Sequence, residues 1–344
     1  MEYPTVSVVV VNHNGKRFLD ACFSSLRRQT VAHAEVLCVD SGSDDDSVSY
    51  LREKYPEVGI VRCENRGFGA ACNHGAKEAT GTFVMFLNED MYLPDEFVQR
   101  MLESYHAIQA RDPQVGALAC NQHTYDRKPH PDFPKVLPGH LDLFGFGVPN
   151  RKGETWGAII PGCPFFIKRE LFLQSGGFCE NIFLYGDDTD LSWRLVLMGK
   201  RNYSAPDIHL YHYVGGTMEG LPPRKIYYFL LSTSIAVFNN YSAGFLLIFL
   251  PLNILFALTA VQLGLVVFTR GNLAYNREAF RAVGDFLRMI PALVPFRRNV
   301  QRLRVLTDTA FLRAYLDLRP SVLVSRSYTR FPRPGWGNRS PQVT

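Results

Sequence analysis

Apolar positions in the first ninety residues come in short runs separated by helical spacing. Residues 6–11, VSVVVV, form a continuous β-branched run of the kind a strand buried on both faces requires. Asn12 to Gly15 predict a turn, and Lys16 to Gln29 place Phe18, Leu19, Cys22, Phe23 and Leu26 at helical intervals. Glu35 to Val39 predict a second strand, ending at Asp40 and the polar loop SGSDDDS, after which Ser47 is placed to cap a helix reaching Lys54. Val58 to Cys63 predict a third strand, Gly67 to Glu78 a loop entering a helix, and Thr82 to Leu87 a fourth strand. This alternation predicts an α/β fold with a mostly parallel sheet flanked by helices. Such sheets bind ligands at the carboxyl ends of their strands, where Asn12, Asp40, Asn65, Asn88 and Asp90 fall.

The middle of the chain is looser. A helical segment at Gln99–Ile108 precedes residues 121–156, rich in Pro, Gly, His and Asp, which predict a substrate loop whose Trp156 and His130 line an acceptor site. Order returns at Ala158–Lys168, followed by a helix from near Arg169 and by GGF at 176–178. Residues 184–201 predict a loop entering a helix with Leu191, Leu195 and Met198 as its apolar stripe.

No charge occurs between Lys225 and Arg270. Asn239, Asn240, Ser242 and Gly244 divide this stretch into two helices, 226–238 and 245–268; the second is long enough to cross a bilayer that needs ~20 residues. The pattern therefore divides the chain at about residue 220, into a domain over 1–220 and a helical, membrane-associated region over 221–344.

Charge refines that picture. The net charge of +5 is unevenly spread: residues 270–344 hold 14 arginines and four acids, a net +10, against −5 for the first 269 residues. A single crossing would put the basic tail opposite a cytosolic domain, against the positive-inside rule. The expectation is a helical hairpin or in-plane helices, with the tail on an anionic membrane surface at the cytoplasmic face of the cell membrane. The alternative, a buried core helix at 245–268, is set aside because the Arg-rich tail offers little apolar surface to cover it. An acidic front also argues against a nucleic-acid partner. The 47% apolar content excludes global disorder, and seven cysteines without a C-x-x-C pair exclude a zinc ribbon and argue against a disulfide framework. The N-terminus lacks the basic region of a signal peptide.

Four groups of residues carry candidate chemistry. Asp90, in NED after an apolar strand, is placed either to bind a divalent cation bridging a diphosphate or to cap the next helix. Asp187, Asp188 and Asp190 in GDDTD gather three carboxylates at a helix N-terminus, as caps or as the source of a base that takes a hydroxyl proton. His212, in YHYVGGT, is a metal or diphosphate ligand or a structural histidine, with His209 competing for the role. Asp40 is placed to accept from the imide of uracil or thymine and His13 to stack on the base; an Asx-turn and a surface histidine are the alternatives.

The order of the parts narrows these readings. VSVVVVNHNG (6–15), VDSGSDDDS (39–47), ENRGFGAACNHG (64–75), FLNED (86–90), GCPFFIKRELFLQSGGF (162–178), FLYGDDTDLSWR (183–194) and HYVGGT (212–217) together resemble a family 2 glycosyltransferase of the GT-A fold, in its rhamnosyltransferase-like branch. The resemblance covers about 6–217 and implies that 1–220 is a GT-A catalytic domain. It implies that Asp90, the last residue of a D-x-D signature, binds metal with His212, while Asn88, at its first position, contacts ribose or diphosphate. It places Asp188 as the base, with Asp187 where the family usually has Glu. Asn12, His13 and Asp40 match nucleoside-contacting positions, and Asn65 and Asn73 a nucleotide-facing loop. Cys179 departs from the Asp usual after GGF.

The reaction so implied is an inverting, Mg²⁺- or Mn²⁺-dependent transfer of a hexosyl or deoxyhexosyl group from a nucleoside-diphosphate sugar, UDP or dTDP being the expected carriers. The expected acceptor is a lipid-linked glycan of cell-surface polysaccharide or glycoprotein assembly. A silent nucleotide-sugar-binding subunit and a nucleotidyltransferase are the two other classes. Intact Asp90, Asp188 and His212 argue against the first, and the poor phosphate loop NHNGKR against the second.

Overall fold

The computed structural model describes residues 5–30, 34–124, 138–142, 144–149, 154–213, 222–268 and 273–317. The first half follows the predicted alternation: β1 (Val6–Asn12), α1 (Lys16–Arg27), β2 (Ala34–Ser41), α2 (Ser47–Lys54), β3 (Gly59–Cys63), α3 (Phe68–Glu78) and β4 (Phe83–Asn88). These are followed by β5 (Met91–Tyr92), α4 (Phe97–Arg111) and β6 (Val115–Thr124). Three short strands, β7 (Gly139–Leu141), β8 (Gly147–Pro149) and β9 (Trp156–Gly157), lead to β10 (Phe165–Lys168), α5 (Arg169–Gln174), α6 (Asp187–Leu197) and β11 (Arg201–His212). Four helices close the described chain: α7 (Pro222–Asn240), α8 (Ala243–Phe268), α9 (Leu273–Leu303) and α10 (Asp308–Tyr315).

The main sheet runs β3-β2-β1-β4-β10-β6-β11-β5, with β9 also on β11. β1 to β4 are parallel, in a register that sets Asn12 beside Asp40 and Val11 beside Asn88. The expected carboxyl-end ligand edge is therefore one physical edge. The second half of the sheet is mixed, a correction to the mostly parallel expectation. β10 runs antiparallel to both β4 and β6, β11 is parallel to β6, and β5 is antiparallel to β11.

The continuous apolar run of β1 has a simple cause. Val6, Val8 and Val10 enter one core with Leu19, Phe23 and Phe166, while Val9 and Val11 enter the other with Ala76, Phe165 and Leu191. Helices on both sheet faces leave no wet side, so alternation disappears.

The C-terminal helices correct two expectations. α7 is inside the protein: Leu230, Ile235, Ala236 and Val237 are buried, and α7 packs on α6, α8 and α9. The Arg-rich segment does supply apolar cover, because α9 buries Tyr275, Ala279, Ala282, Phe286 and Leu293 along one face while Arg277, Arg281 and Arg288 are exposed. Among the described residues no helix is long and apolar enough to cross a membrane. The tail beyond residue 317 lies outside the described residues, as do His130 and the glycines of YHYVGGT.

Candidate active site

The parallel edge assembles the first part of the site. Asn12, at the end of β1, is fully buried and donates through Nδ2 to Asp40 Oδ1 at 3.0 Å and to Ser43 Oγ at 3.0 Å. Asn12 Oδ1 and Asp40 Oδ2 are buried with no hydrogen-bond partner among the described residues; Arg62 Nε stands 3.8 Å from the latter. Buried acceptors left open at a strand end are set to receive N–H or O–H donors. His13 is exposed, its Nδ1–H donating to the Ser41 carbonyl at 2.8 Å, so its ring is held at the same edge. Asn65 is exposed on the loop after β3, where its Oδ1 accepts from the Gly67 N–H at 3.3 Å.

Asn73 is elsewhere. It is buried on α3, where its Nδ2 donates to the Phe178 carbonyl at 2.9 Å and to Glu180 at 3.2 Å, and its Oδ1 accepts from the Phe178 N–H at 2.8 Å. The structure uses it to pin the GGF turn to α3 rather than bringing it to the crevice. Asn73→Ala is expected to destabilise the fold by about 2 kcal/mol, by leaving the Phe178 amide unpaired, with donor affinity unchanged. Thermal melts and a donor titration of the variant check both.

The carboxylates converge on the turn before β10. Asp90 follows β4, and Asp187 and Asp188 open α6. Tyr185 at φ 60° and Gly186 at φ 73° turn the chain into that helix, both in the left-handed region that only Gly adopts without strain. Gly162 admits Asp188 closely, since a Cβ there would lie 3.0 Å from Asp188 Cβ. Burial first, then the charges of Asp187, Asp90 and Asp188, push the buried thiol of Cys163 far above its ordinary value. Its Sγ lies 3.4 Å from Asn88 Oδ1, which brings Asn88 to the same turn.

Burial raises the Asp188 carboxyl, against N–H donors from Thr189 (2.7 Å) and Gly162 that favour the ionised form. Burial and then the Asp188 charge push Asp187 up to about 7. The unfolded chain loses the Asp187 proton near pH ~4 and the folded chain near 7. Stability conferred by the bound proton is thus lost as pH rises through that interval and is level above it. Asp187→Asn should gain in melting temperature over the parent between pH 5 and pH 8, which paired melts at the two values test.

Asp190 is engaged elsewhere. It is buried, paired with Arg194 and accepting from Asn239 and Asn240 of α7 at 3.1 and 2.9 Å.

His212 closes the site from β11. Its Nε2 lies 3.2 Å from Asp90 Oδ1, and its Nδ1 is 3.0 Å from Gln122 Oε1. Burial alone would lower its pKa, but the charge and hydrogen bond of Asp90 outweigh this and raise it. His209, three residues earlier on the strand, stacks on His123 at 4.7 Å instead. With the Nδ1 proton given to Gln122, Nε2 and the carboxylate face one another and need positive charge against them. A proton or a divalent ion supplies it. An imidazole and a carboxylate fit Mg²⁺ or Mn²⁺ when substrate phosphates and water complete the shell. Among the described residues no three His, Cys, Asp or Glu side chains form a closed metal cluster.

Two contributors were missed in the sequence. Gln122, which orients His212, carried no signal inside a loop-like stretch. Glu89 stood inside NED; burial and the Asp90 charge push it up to about 8, and its Cγ would lie 2.4 Å from a Cβ at Gly15. Trp156 packs edge-on against Tyr315 at 5.9 Å. Cys179 is buried and receives the Asn239 amide at 3.6 Å, facing α7.

Residues 7–175 match the family model described as glycosyl transferase family 2. The chain is 32% identical over 108 residues to the putative glycosyltransferase EpsH of Bacillus subtilis, covering 30% of this chain and 31% of that protein. It is 29% identical over 234 residues to the O-antigen biosynthesis protein RfbC of Myxococcus xanthus, covering 61% and 17%. The chain thus spans about a third or less of the length of these relatives. Among solved structures, Staphylococcus aureus TarS 1–349 superposes with a TM-score of 0.54 at 15% identity, over 87% of each chain. The mannosyltransferase PcManGT of Pyrobaculum calidifontis, solved with GDP-Man and Mn²⁺, gives 0.52 at 21% identity over 88% of this chain and 86% of that one. At these identities the likeness concerns the fold, which is that of the GT-A transferases. Residues 7–175, just under half of the chain, thus carry the likeness to glycosyl transferase family 2.

Proposed function

We propose that this chain is an inverting glycosyltransferase that moves a sugar from a nucleoside-diphosphate donor to an acceptor hydroxyl. The observation that carries this reading is the convergence of Asp90, Asp187 and Asp188 on the Gly162–Cys163 turn, with His212 against Asp90 and the open acceptors of Asn12 and Asp40 along the same sheet edge. Asn12, His13, Asp40, Asn65 and Asn88 bind the nucleotide, UDP or dTDP being favoured because an imide N–H suits Asp40 Oδ2. Asp90 and His212 would hold a Mg²⁺ or Mn²⁺ ion, which when bound neutralises charge on the leaving diphosphate. Asp188, oriented by Thr189 and Gly162, takes the acceptor proton. Asp187, its carboxyl pushed up to about 7, exchanges its own proton near neutrality. Attack opposite the departing diphosphate inverts the anomeric centre.

The acceptor we propose is a lipid-linked glycan at the cytoplasmic face of the cell membrane. The named role of RfbC in O-antigen biosynthesis and the exposed apolar face of α8 support it.

The test is a screen of UDP-, dTDP- and GDP-sugars, with Mg²⁺ or Mn²⁺, for release of free nucleoside diphosphate. Metal-dependent release from one donor, abolished in Asp90→Ala, is the expected result. Release of inorganic diphosphate would make the chain a nucleotidyltransferase. No release and no metal-dependent donor binding would make it a silent binding subunit.

A further inference from the structure

α8 is turned inside out for a helix in water. Leu247, Ile248, Leu252 and Leu255 point outward and are 79, 59, 39 and 56% exposed. The other outward positions between 243 and 259 are Ala243, Gly244, Pro251 and Thr259, so the stripe has no charge. Asn253, the amide of this segment, points inward instead: it is buried, donating to the Phe144 carbonyl at 2.8 Å and accepting from Ser234 at 2.7 Å. Water-facing helices have the reverse pattern, and a contiguous exposed aliphatic stripe marks a surface that is covered by something.

The charge around the stripe identifies the cover. Just before α8 begins, the last turn of α7 and the end of α9 form an open groove of about 490 Å³, lined by Phe238, Val294, Arg297, Arg298, Gln301 and Arg302. It has no carboxylate. Arg297 is tied to the carbonyls of Phe238 and Tyr241, and Arg298 and Arg302 are exposed with no ion pair among the described residues. Earlier on α9, Phe280 and Leu287 are exposed among Arg277, Arg281 and Arg288, three arginines that share the two carboxylates of Glu278 and Asp285. Residues 318–344 add five arginines and no acid to the sequence. A second copy of the chain would bring its own arginines to this rim and be repelled; an anionic headgroup layer would neutralise it.

We infer that this face docks on an anionic lipid bilayer without crossing it, the α8 stripe resting at the acyl-chain boundary while Arg298 and Arg302 hold a lipid phosphate in the groove. The surface requires nothing of the transfer reaction and stands whatever the acceptor proves to be.

Co-sedimentation of the full chain with phosphatidylcholine vesicles, with and without phosphatidylglycerol, tests the inference. The parent should sediment only with the anionic vesicles, and less as salt rises. Leu247→Glu with Ile248→Glu should abolish sedimentation. Arg298→Gln with Arg302→Gln should weaken it about twenty-five-fold, at about fivefold for each arginine near an anionic surface. Nucleoside-diphosphate release by both variants should equal the parent's, which separates failure of docking from failure of the transfer reading. A parent that remains in the supernatant, variants that sediment like the parent, or groove binding of inorganic phosphate alone would each overturn the inference. Self-association of the parent that Leu247→Glu with Ile248→Glu abolishes would assign the stripe to a second copy and overturn it as well.

Discussion

Asp188→Asn is expected to lower the transfer rate by about 10³-fold, in the middle of the range for loss of a positioned general base, with donor affinity unchanged. The substitution separates two roles that coincide at the start of α6. Asn caps a helix as well as Asp does, and its amide oxygen can still accept from the Thr189 N–H that Asp188 receives at 2.7 Å. If Asp188 only terminated the helix, the variant would turn over like the parent. As the base, it must hold a proton that an amide cannot hold. Single-turnover rates at saturating donor and acceptor give the chemical step, and a donor titration gives the binding. The acid limb of the parent's pH–rate profile is expected above the ordinary carboxylate value of ~4, because burial raises the Asp188 carboxyl. That limb should vanish in the variant. An unchanged rate would assign Asp188 to capping and leave the reaction without its base.

What was legible in the sequence depended on how local the cause was. Buried strands with helices between them are written in a few consecutive residues, so β1 to β4 and their ligand edge could be read from apolar runs. Strand direction is not so written. Phe165, Phe166 and Ile167 form the same kind of run as β1, and only the pairing with Phe86 and Leu118 shows that β10 runs against its neighbours. The region after residue 270 misled through composition. Counting arginines hid an amphipathic helix whose Tyr275, Ala279, Ala282 and Phe286 cover α7, because charge on one face says nothing of burial on the other. Asn73 shows the same limit: its loop suggested the nucleotide, yet the partners that occupy it lie 105 and 107 residues away.

Asp190 is the sharpest such case, and Asp190→Ala is expected to destabilise the protein by about 3–5 kcal/mol. In GDDTD it reads as one of three carboxylates gathered at a helix N-terminus. It and Arg194 are instead fully buried as a pair. Arg194 donates to the carbonyls of Ser175 and Gly177, and its guanidinium lies 4.7 Å from the Phe296 ring of α9. The second oxygen of Asp190 receives both Asn239 and Asn240 from the end of α7. One carboxylate therefore joins the helix that carries Asp188 to the turn before it and to the C-terminal helices. Removing it leaves a buried guanidinium without its counter-charge and takes one acceptor from each of two amides, which keep only Cys179 and the Ala236 carbonyl. Chemical denaturation of Asp190→Ala, Arg194→Met and the double variant Asp190→Leu/Arg194→Met measures the network. The double variant should lose less than the two single variants together, since a buried pair replaced by apolar side chains no longer strands a charge. Additive losses would mean that the two residues act separately, and that the coupling of α6 to α7 resides in the packing around Val237 and Trp193 rather than in the ion pair.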